Sequence, residues 1–346
     1  MLIYFILLFF NVIISVTSED KLIHVHALWR HGERNPRKLF YGDLNNASAF
    51  PEGLGQLTKN GINQLYVIGK HFQARYMYEK AFLSPEYLHS EVYARSTDID
   101  RTIISAMAFY SGLYSNGTNE AHILAPRLYG LPIPEWITME KSEEFDKLFV
   151  DYVSTQYGFM PFINDTFPYN LQLELARISS GALIAEIVDR LKLKIQCLKN
   201  VSSECIHIHN QKLFTYSGHD ITVVELFSGL GFKSFTFEQK TLPSFGATII
   251  IELWADEGIT NSVANVGEIQ YEYYYVKIYY YQNSTIETPK FIGNLLPECQ
   301  GEEKGCPFSY LIKRAELLRP KPDLKGYCNQ MVKKNNKKEI KVGYKK

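Results

Sequence analysis

Three short stretches hold most of the chemistry this sequence could do: RHGERNP at residues 30–36, RSTD at 95–98 and SGHD at 217–220. The first sets His31 between Arg30 and Arg34, beside Gly32. An imidazole flanked by guanidiniums is discouraged from taking a proton, because like charge opposes protonation. It stays neutral and nucleophilic below its usual pKa of about 6.5. The guanidiniums offer planar, bidentate donors, which suit a phosphate dianion better than ammonium groups do. Phosphoryl transfer needs an in-line nucleophile, donors on the equatorial oxygens and a proton for the leaving alkoxide.

His31 fits the first role. Arg30, Arg34 and Arg95 fit the second, with His219 donating to a phosphate oxygen, and Asp220 fits the third when an acidic medium supplies its proton. A second hydrogen bond must orient the His31 ring and fix its tautomer; Gly32 permits the close backbone approach this needs. An acid pH optimum follows. Arg95 is preferred over Arg101 for the phosphate because it directly follows a strand end. Arg101 is read as structural, with one of the two arginines pairing with Asp98 or Asp100. Asp220 has a competing reading as the N-cap of a helix over ITVVELFSGL.

These residues need a scaffold that brings distant loops together. KLIHVHALW reads as a mostly buried strand running straight into the first motif. From Thr58, a plausible N-cap, apolar residues recur at Ile62, Leu65, Ile68, Phe72 and Tyr76, one face of a long helix. A second strand ends near Ala94, and Thr97 with Asp100 three residues later opens another helix. KLFTYSGHD repeats the strand-then-polar-loop pattern, while ATIIIELW and YEYYYVKIYYY read as antiparallel strands that finish the sheet. Strand, loop and helix recurring in this way predict an α/β fold with a central, largely parallel sheet flanked by helices. In such folds ligands bind beyond the carboxyl ends of the strands, so the three loops are expected to converge on one cleft. Residues 130–205 combine proline turns with helical patterns and are read as a helical cap inserted between core segments 19–129 and 206–330.

The 346 residues balance 37 basic against 37 acidic side chains, which gives no electrostatic footprint for nucleic acid. Residues 1–18 carry an apolar run and a small-x-small pattern expected of a signal peptide, too short for a confident span. No later segment reaches the roughly 18 apolar residues a membrane helix needs. Asn46, Asn116, Asn164, Asn200 and Asn283 lie in glycosylation sequons. The short spacings of Cys197 with Cys205 and of Cys299 with Cys306 suggest two local bridges, leaving Cys328 over. His24/His26 and His207/His209 are His-x-His pairs with no third or fourth ligand at suitable spacing, so they read as packed or edge pairs and no metal or other cofactor is expected. The lysine-rich residues 331–346 are expected to be a disordered tail.

RHGERNP resembles the RHGxRxP signature of histidine acid phosphatases, a branch of the histidine phosphatase superfamily that works through a phosphohistidine. GQLTKNGINQLYVIGKHFQARY, VYARSTDIDRTIISAM, PIPEW and YSGHDIT resemble the corresponding stretches of prostatic and lysosomal acid phosphatases in the same order, and the likeness runs from about residue 20 to 330. The resemblance implies that His31 is the nucleophile, that Arg30, Arg34, Arg95 and His219 hold the phosphate, and that Asp220 is the proton donor. It also implies small phosphomonoester substrates and, since relatives dimerise, a homodimer. Ile221 stands where many members have Thr, and the LPSFGATIIIEL stretch lacks a cysteine that mammalian relatives carry, so their disulfide scheme does not transfer to Cys328. The expectation is a secreted or lysosomal acid phosphatase. Alternatives are a phytase-like or lysophospholipid-phosphate specialist with the same centre, or a non-catalytic secreted binding glycoprotein.

Overall fold

A computed structural model describes residues 20–115, 135–159, 170–198, 202–237, 239, 241–256 and 270–330. The proposed signal peptide, the lysine-rich tail and the sequons at Asn116, Asn164 and Asn200 lie outside the described residues.

Seven strands form one sheet: β1 (Lys21–Arg30), β2 (Val92–Ser96), β3 (Leu213–Gly218), β4 (Thr248–Ala255), β5 (Tyr274–Tyr281), β6 (Lys290–Phe291) and β7 (Cys306–Pro307). The order is β2-β3-β1-β4-β5-β6, with β7 also on β5. β2, β3 and β1 run parallel, which sends all three of their carboxyl ends to the same edge. The β1 register reaches Arg30 opposite Gly218, and the β2 register reaches Ser96 opposite Ser217. The three loops expected to converge therefore leave neighbouring strands at one level. β4 and β5 extend the sheet antiparallel, as their sequences suggested.

β1 is buried from Ile23 to Trp29 because both of its faces are covered. Val25, Ala27 and Trp29 join Leu65, Phe72 and Phe109 on the side of α1 (Lys59–Gln73) and α2 (Asp100–Leu113). Leu28, Phe214 and Tyr216 join the opposite layer, built from α4 (Leu171–Gln196), α5 (Asp220–Leu230) and α6 (Phe308–Leu318). Thr58 caps α1 by accepting the Gly61 N–H at 3.0 Å. Along that helix Leu65, Ile68 and Phe72 are buried as the periodicity required, as is Tyr76 in the π-helical turn Ala74–Glu79 that continues it, whereas Ile62 is exposed.

Two expectations change. The helix after β2 does not start at Thr97: its N-cap is Ile99 and Asp100 is its first residue, so the Thr97 hydroxyl is left for other work. The 130–205 segment also divides. α3 (Met139–Gln156) buries Val153 and Ser154, while α4 places Ile184, Ile187, Val188 and Leu191 in the core against the sheet. Its second helix is thus a flanking layer of the core, because a helix that offers this much aliphatic surface is stabilised by covering a sheet face. Both expected disulfides are formed, Cys197–Cys205 and Cys299–Cys306, and Cys328 is a free thiol.

Candidate active site

His31 follows directly from the end of β1, its backbone N–H donating to Gly218 O at 2.9 Å. The side chain is 3% exposed. Nδ1 lies 2.7 Å from the carbonyl oxygen of Gly32. A carbonyl can only accept, so Nδ1 carries the hydrogen and Nε2 keeps a free lone pair. The chain can fold back this tightly because Gly32 rests on the first turn of α1: a Cβ there would lie 2.1 Å from Gly61 O, and one on Gly61 would lie 2.1 Å from Glu33 O. Burial is the main reason the His31 pKa falls to about 3; the Gly32 hydrogen bond opposes the fall, and the charges of Arg30 and Arg101 add to it. The sequence argument named only the cationic neighbours, and burial outweighs them.

Arg30 is the last residue of β1 and reaches forward into the cleft. It pairs with Asp220 at 3.0 Å, donates to Pro243 O at 2.6 Å, and lies 4.0 Å above the Phe245 ring. Phe245 also flanks His31, with ring centroids 5.8 Å apart. Arg34 donates to Asn35 O at 2.9 Å. His219 is the N-cap of α5 and meets His31 edge to face at 5.5 Å between ring centroids. Its Nε2 is 3.1 Å from Thr97 Oγ1, and its pKa is lowered chiefly by burial, then by Arg101. Asp220 is the first residue of α5 rather than its cap, and its Oδ1 accepts the N–H of Ile221 at 2.8 Å.

Arg95 does not join this group. β2 runs one residue past it, and its guanidinium turns outward to both oxygens of Glu186 on α4, each at 2.8 Å, with the side chain 56% exposed. Arg101 takes the place expected of Arg95. It lies in the first turn of α2, and its charge acts on His31, His219 and Arg30. The Nε–H groups of Arg30, Arg34 and Arg101 are all buried without a hydrogen-bond partner among the described residues. Three buried, unspent donors around one neutral imidazole make a cradle for an anion with several oxygens. Arg37, exposed beyond Arg34, adds a positive charge felt by Arg34, Arg101 and His219. Sequence reasoning weighed Arg101 but assigned it a structural role, read Thr97 only as the start of a helix, and missed Arg37 and Phe245.

His24 and His26 are buried in the α4 layer with ring centroids 4.8 Å apart, and His26 stacks on Phe214 at 5.4 Å. Among the described residues no cluster of three or more His, Cys, Asp or Glu side chains could hold a metal ion.

A mixed sheet that gathers arginines and histidines at the carboxyl ends of parallel strands defines an α/β protein with an anion-binding cleft. The profile of the histidine phosphatase superfamily (branch 2) matches residues 21–128 and 125–281, and the chain belongs to that family. Rat prostatic acid phosphatase is 30% identical over 372 aligned positions, covering 87% of this chain and 86% of the relative. The putative acid phosphatase 10 of Caenorhabditis elegans is 25% identical and covers 94% of this chain and 99% of its own. Among solved structures, the apo phytase of Hafnia alvei superposes with a TM-score of 0.51 at 16% identity, over 86% of this chain and 96% of that one, a likeness of fold. The protein is a phosphatase of the acid phosphatase type.

Proposed function

We propose that this protein is an exported acid phosphatase that hydrolyses small phosphate monoesters through a phosphohistidine on His31. The observation that carries the reading is the His31 ring: Nδ1–H is held by Gly32 O, and Nε2 is free beside Arg30 and Arg101. Nε2 attacks phosphorus while the bond from phosphorus to the ester oxygen breaks, and Asp220 gives the departing oxygen a proton. Water then attacks the phosphohistidine, Asp220 takes back a proton, and the P–N bond breaks to release phosphate. Arg30, Arg34, Arg101 and His219 hold the equatorial oxygens. In the free site Asp220 is paired with Arg30, so an arriving phosphate competes for that guanidinium and releases the carboxyl for proton transfer.

Export is supported by two disulfides and by two sequons whose geometry is visible. Asn46 Oδ1 accepts the Ser48 hydroxyl at 2.5 Å, and Asn283 Oδ1 accepts that of Thr285 at 2.7 Å. Phosphate release from p-nitrophenyl phosphate near pH 5, with rapid-quench capture of labelled phosphate on the protein, tests the mechanism. Label retained in His31→Ala would reassign the nucleophile, and a wild type without turnover would favour a non-catalytic binding role. Arg37 favours a second reading, phytase-like esters bearing more than one anionic group, because it sets an exposed positive charge beyond the arginines around the phosphate. A panel of mono- and bisphosphates separates the two substrate classes.

A further inference from the structure

Thr97 was expected to cap a helix, and the helix begins without it. Its backbone N–H donates to Ser217 O at 3.1 Å, which prolongs the β2–β3 pairing by one residue and fixes the position of its side chain. Thr97 Oγ1 then lies 2.8 Å from Thr102 Oγ1 and 3.1 Å from His219 Nε2. Thr102 Oγ1 is also 2.7 Å from Ile99 O and 2.9 Å from Thr97 O.

The contacts give this chain a direction. Thr102 Oγ1 has one hydrogen, and the shortest of its contacts is to a carbonyl that can only accept, Ile99 O at 2.7 Å. With the hydrogen placed there, Thr102 Oγ1 accepts from Thr97, which uses the one hydrogen Thr97 has. Thr97 Oγ1 is left as an acceptor, and the hydrogen between it and His219 belongs to Nε2. His219 is held at the start of α5 by its backbone N–H, which donates to Thr222 Oγ1 at 3.3 Å. The relay is anchored in the core, where Ser217 Oγ donates to Thr102 O at 2.7 Å and Trp29 Nε1 donates to Ser217 Oγ at 2.9 Å.

We infer that Thr97, backed by Thr102, is a positioning residue for His219: it fixes the ring as the Nε2–H tautomer and holds that hydrogen at the cleft, next to His31. The inference rests on the phosphatase reading for its consequence in turnover, but the tautomer itself does not depend on it. A neutral donor suits the surroundings, since the charged groups acting on this ring are Arg101, Arg30 and Arg37 against the one carboxylate of Asp220. When phosphate enters, the Nε2–H has only to turn from one oxygen to another.

The test uses the full chain labelled with 15N-histidine, with long-range 1H–15N correlations read above the His219 titration and assigned by loss of the signal in His219→Ala. The wild type should show the Nε2–H pattern. Thr97→Val is isosteric and removes the acceptor, so the pattern should become a tautomer mixture and kcat on p-nitrophenyl phosphate should fall about tenfold, more than KM changes. Thr97→Ser keeps the hydroxyl and should restore both. Thr102→Val frees the Thr97 hydrogen to donate to Nε2, so the Nδ1–H form should rise even if Thr97→Val does not fold. An unchanged tautomer in both valine variants, or a lower melting temperature with no spectral change, overturns the inference. If the wild type shows the Nε2–H pattern and no turnover, the positioning stands and the phosphatase reading fails.

Discussion

Strand β1 carries two histidines near its middle, and a third follows its last residue; all three are kept from protonating, for one shared reason and with different results. Burial takes His24 to about 3 and His31 to about 3, and it drives His26 well below the ordinary value. Yet no ring nitrogen of His24 or His26 makes a hydrogen bond of ordinary geometry among the described residues, Gln211 being the polar side chain beside His24, while His31 gives Nδ1–H to a carbonyl. Lys194 and Arg190 are the charges facing the first pair; the third ring faces arginines whose Nε–H groups are unspent. A depressed pKa thus marks burial in both places. What separates a reactive imidazole from a packed one is the fixed tautomer and the anion-binding groups beside it.

The sharpest way to break this comparison is substitution at each place. His31→Ala should lower kcat by roughly 10⁴-fold or more, as loss of a covalent nucleophile does. His24→Leu with His26→Leu should leave kcat within about threefold, because neither ring touches the cleft. Equal losses in both would mean that burial, not the arrangement around His31, had been identified. The next largest effect should come from Arg101→Ala, on the order of 10²- to 10³-fold in kcat/KM, as for removal of one oxyanion donor. Arg95→Ala should change kcat/KM by less than about threefold and cost only ~0.5–1 kcal/mol in a denaturant titration, since its partner Glu186 is met at the surface. The reverse ranking would return Arg95 to the phosphate.

The smallest effect is read in stability against pH. The folded pKa of His24 lies near 3, below the unfolded value of about 6.5, so the unfolded chain takes up its proton first. The stability is full above pH 6.5 and is lost progressively as pH falls toward 3. The double leucine variant removes this linkage at both positions, and its melting temperature should fall less steeply between pH 6.5 and 4 than that of the wild type. His31 should stay neutral through the same window, so activity per folded molecule should persist while stability declines. Parallel slopes for the two proteins would show that these rings are not what titrates.

Much of the frame was legible in the sequence because the relevant signals are local. The Thr58 cap, the apolar stripe of α1 and the strand before each motif depend on neighbours a few residues away. Convergence of RHGER and SGHD followed from strands whose loops share one edge. The choice between Arg95 and Arg101 was not local. It turned on whether β2 stopped at Ala94 or continued through Ser96, and strand ends are uncertain by about that much. Alternation of side chains then decides which way an arginine points. The other half of the answer, Glu186, waits on a helix 91 residues further along. α4 was misplaced for a related reason: periodicity shows that a helix has an apolar face, but not which surface covers it.

The backbone seat of Gly32 on Gly61 extends this to motion. Main chain meets main chain there, so no rotamer can take up a displacement between the first turn of α1 and the loop that carries His31. A single methyl group at either glycine would act as a shim, displacing the His31 ring while removing none of the side chains around it. Where the imidazole points is set in part by the first turn of a helix, backbone against backbone.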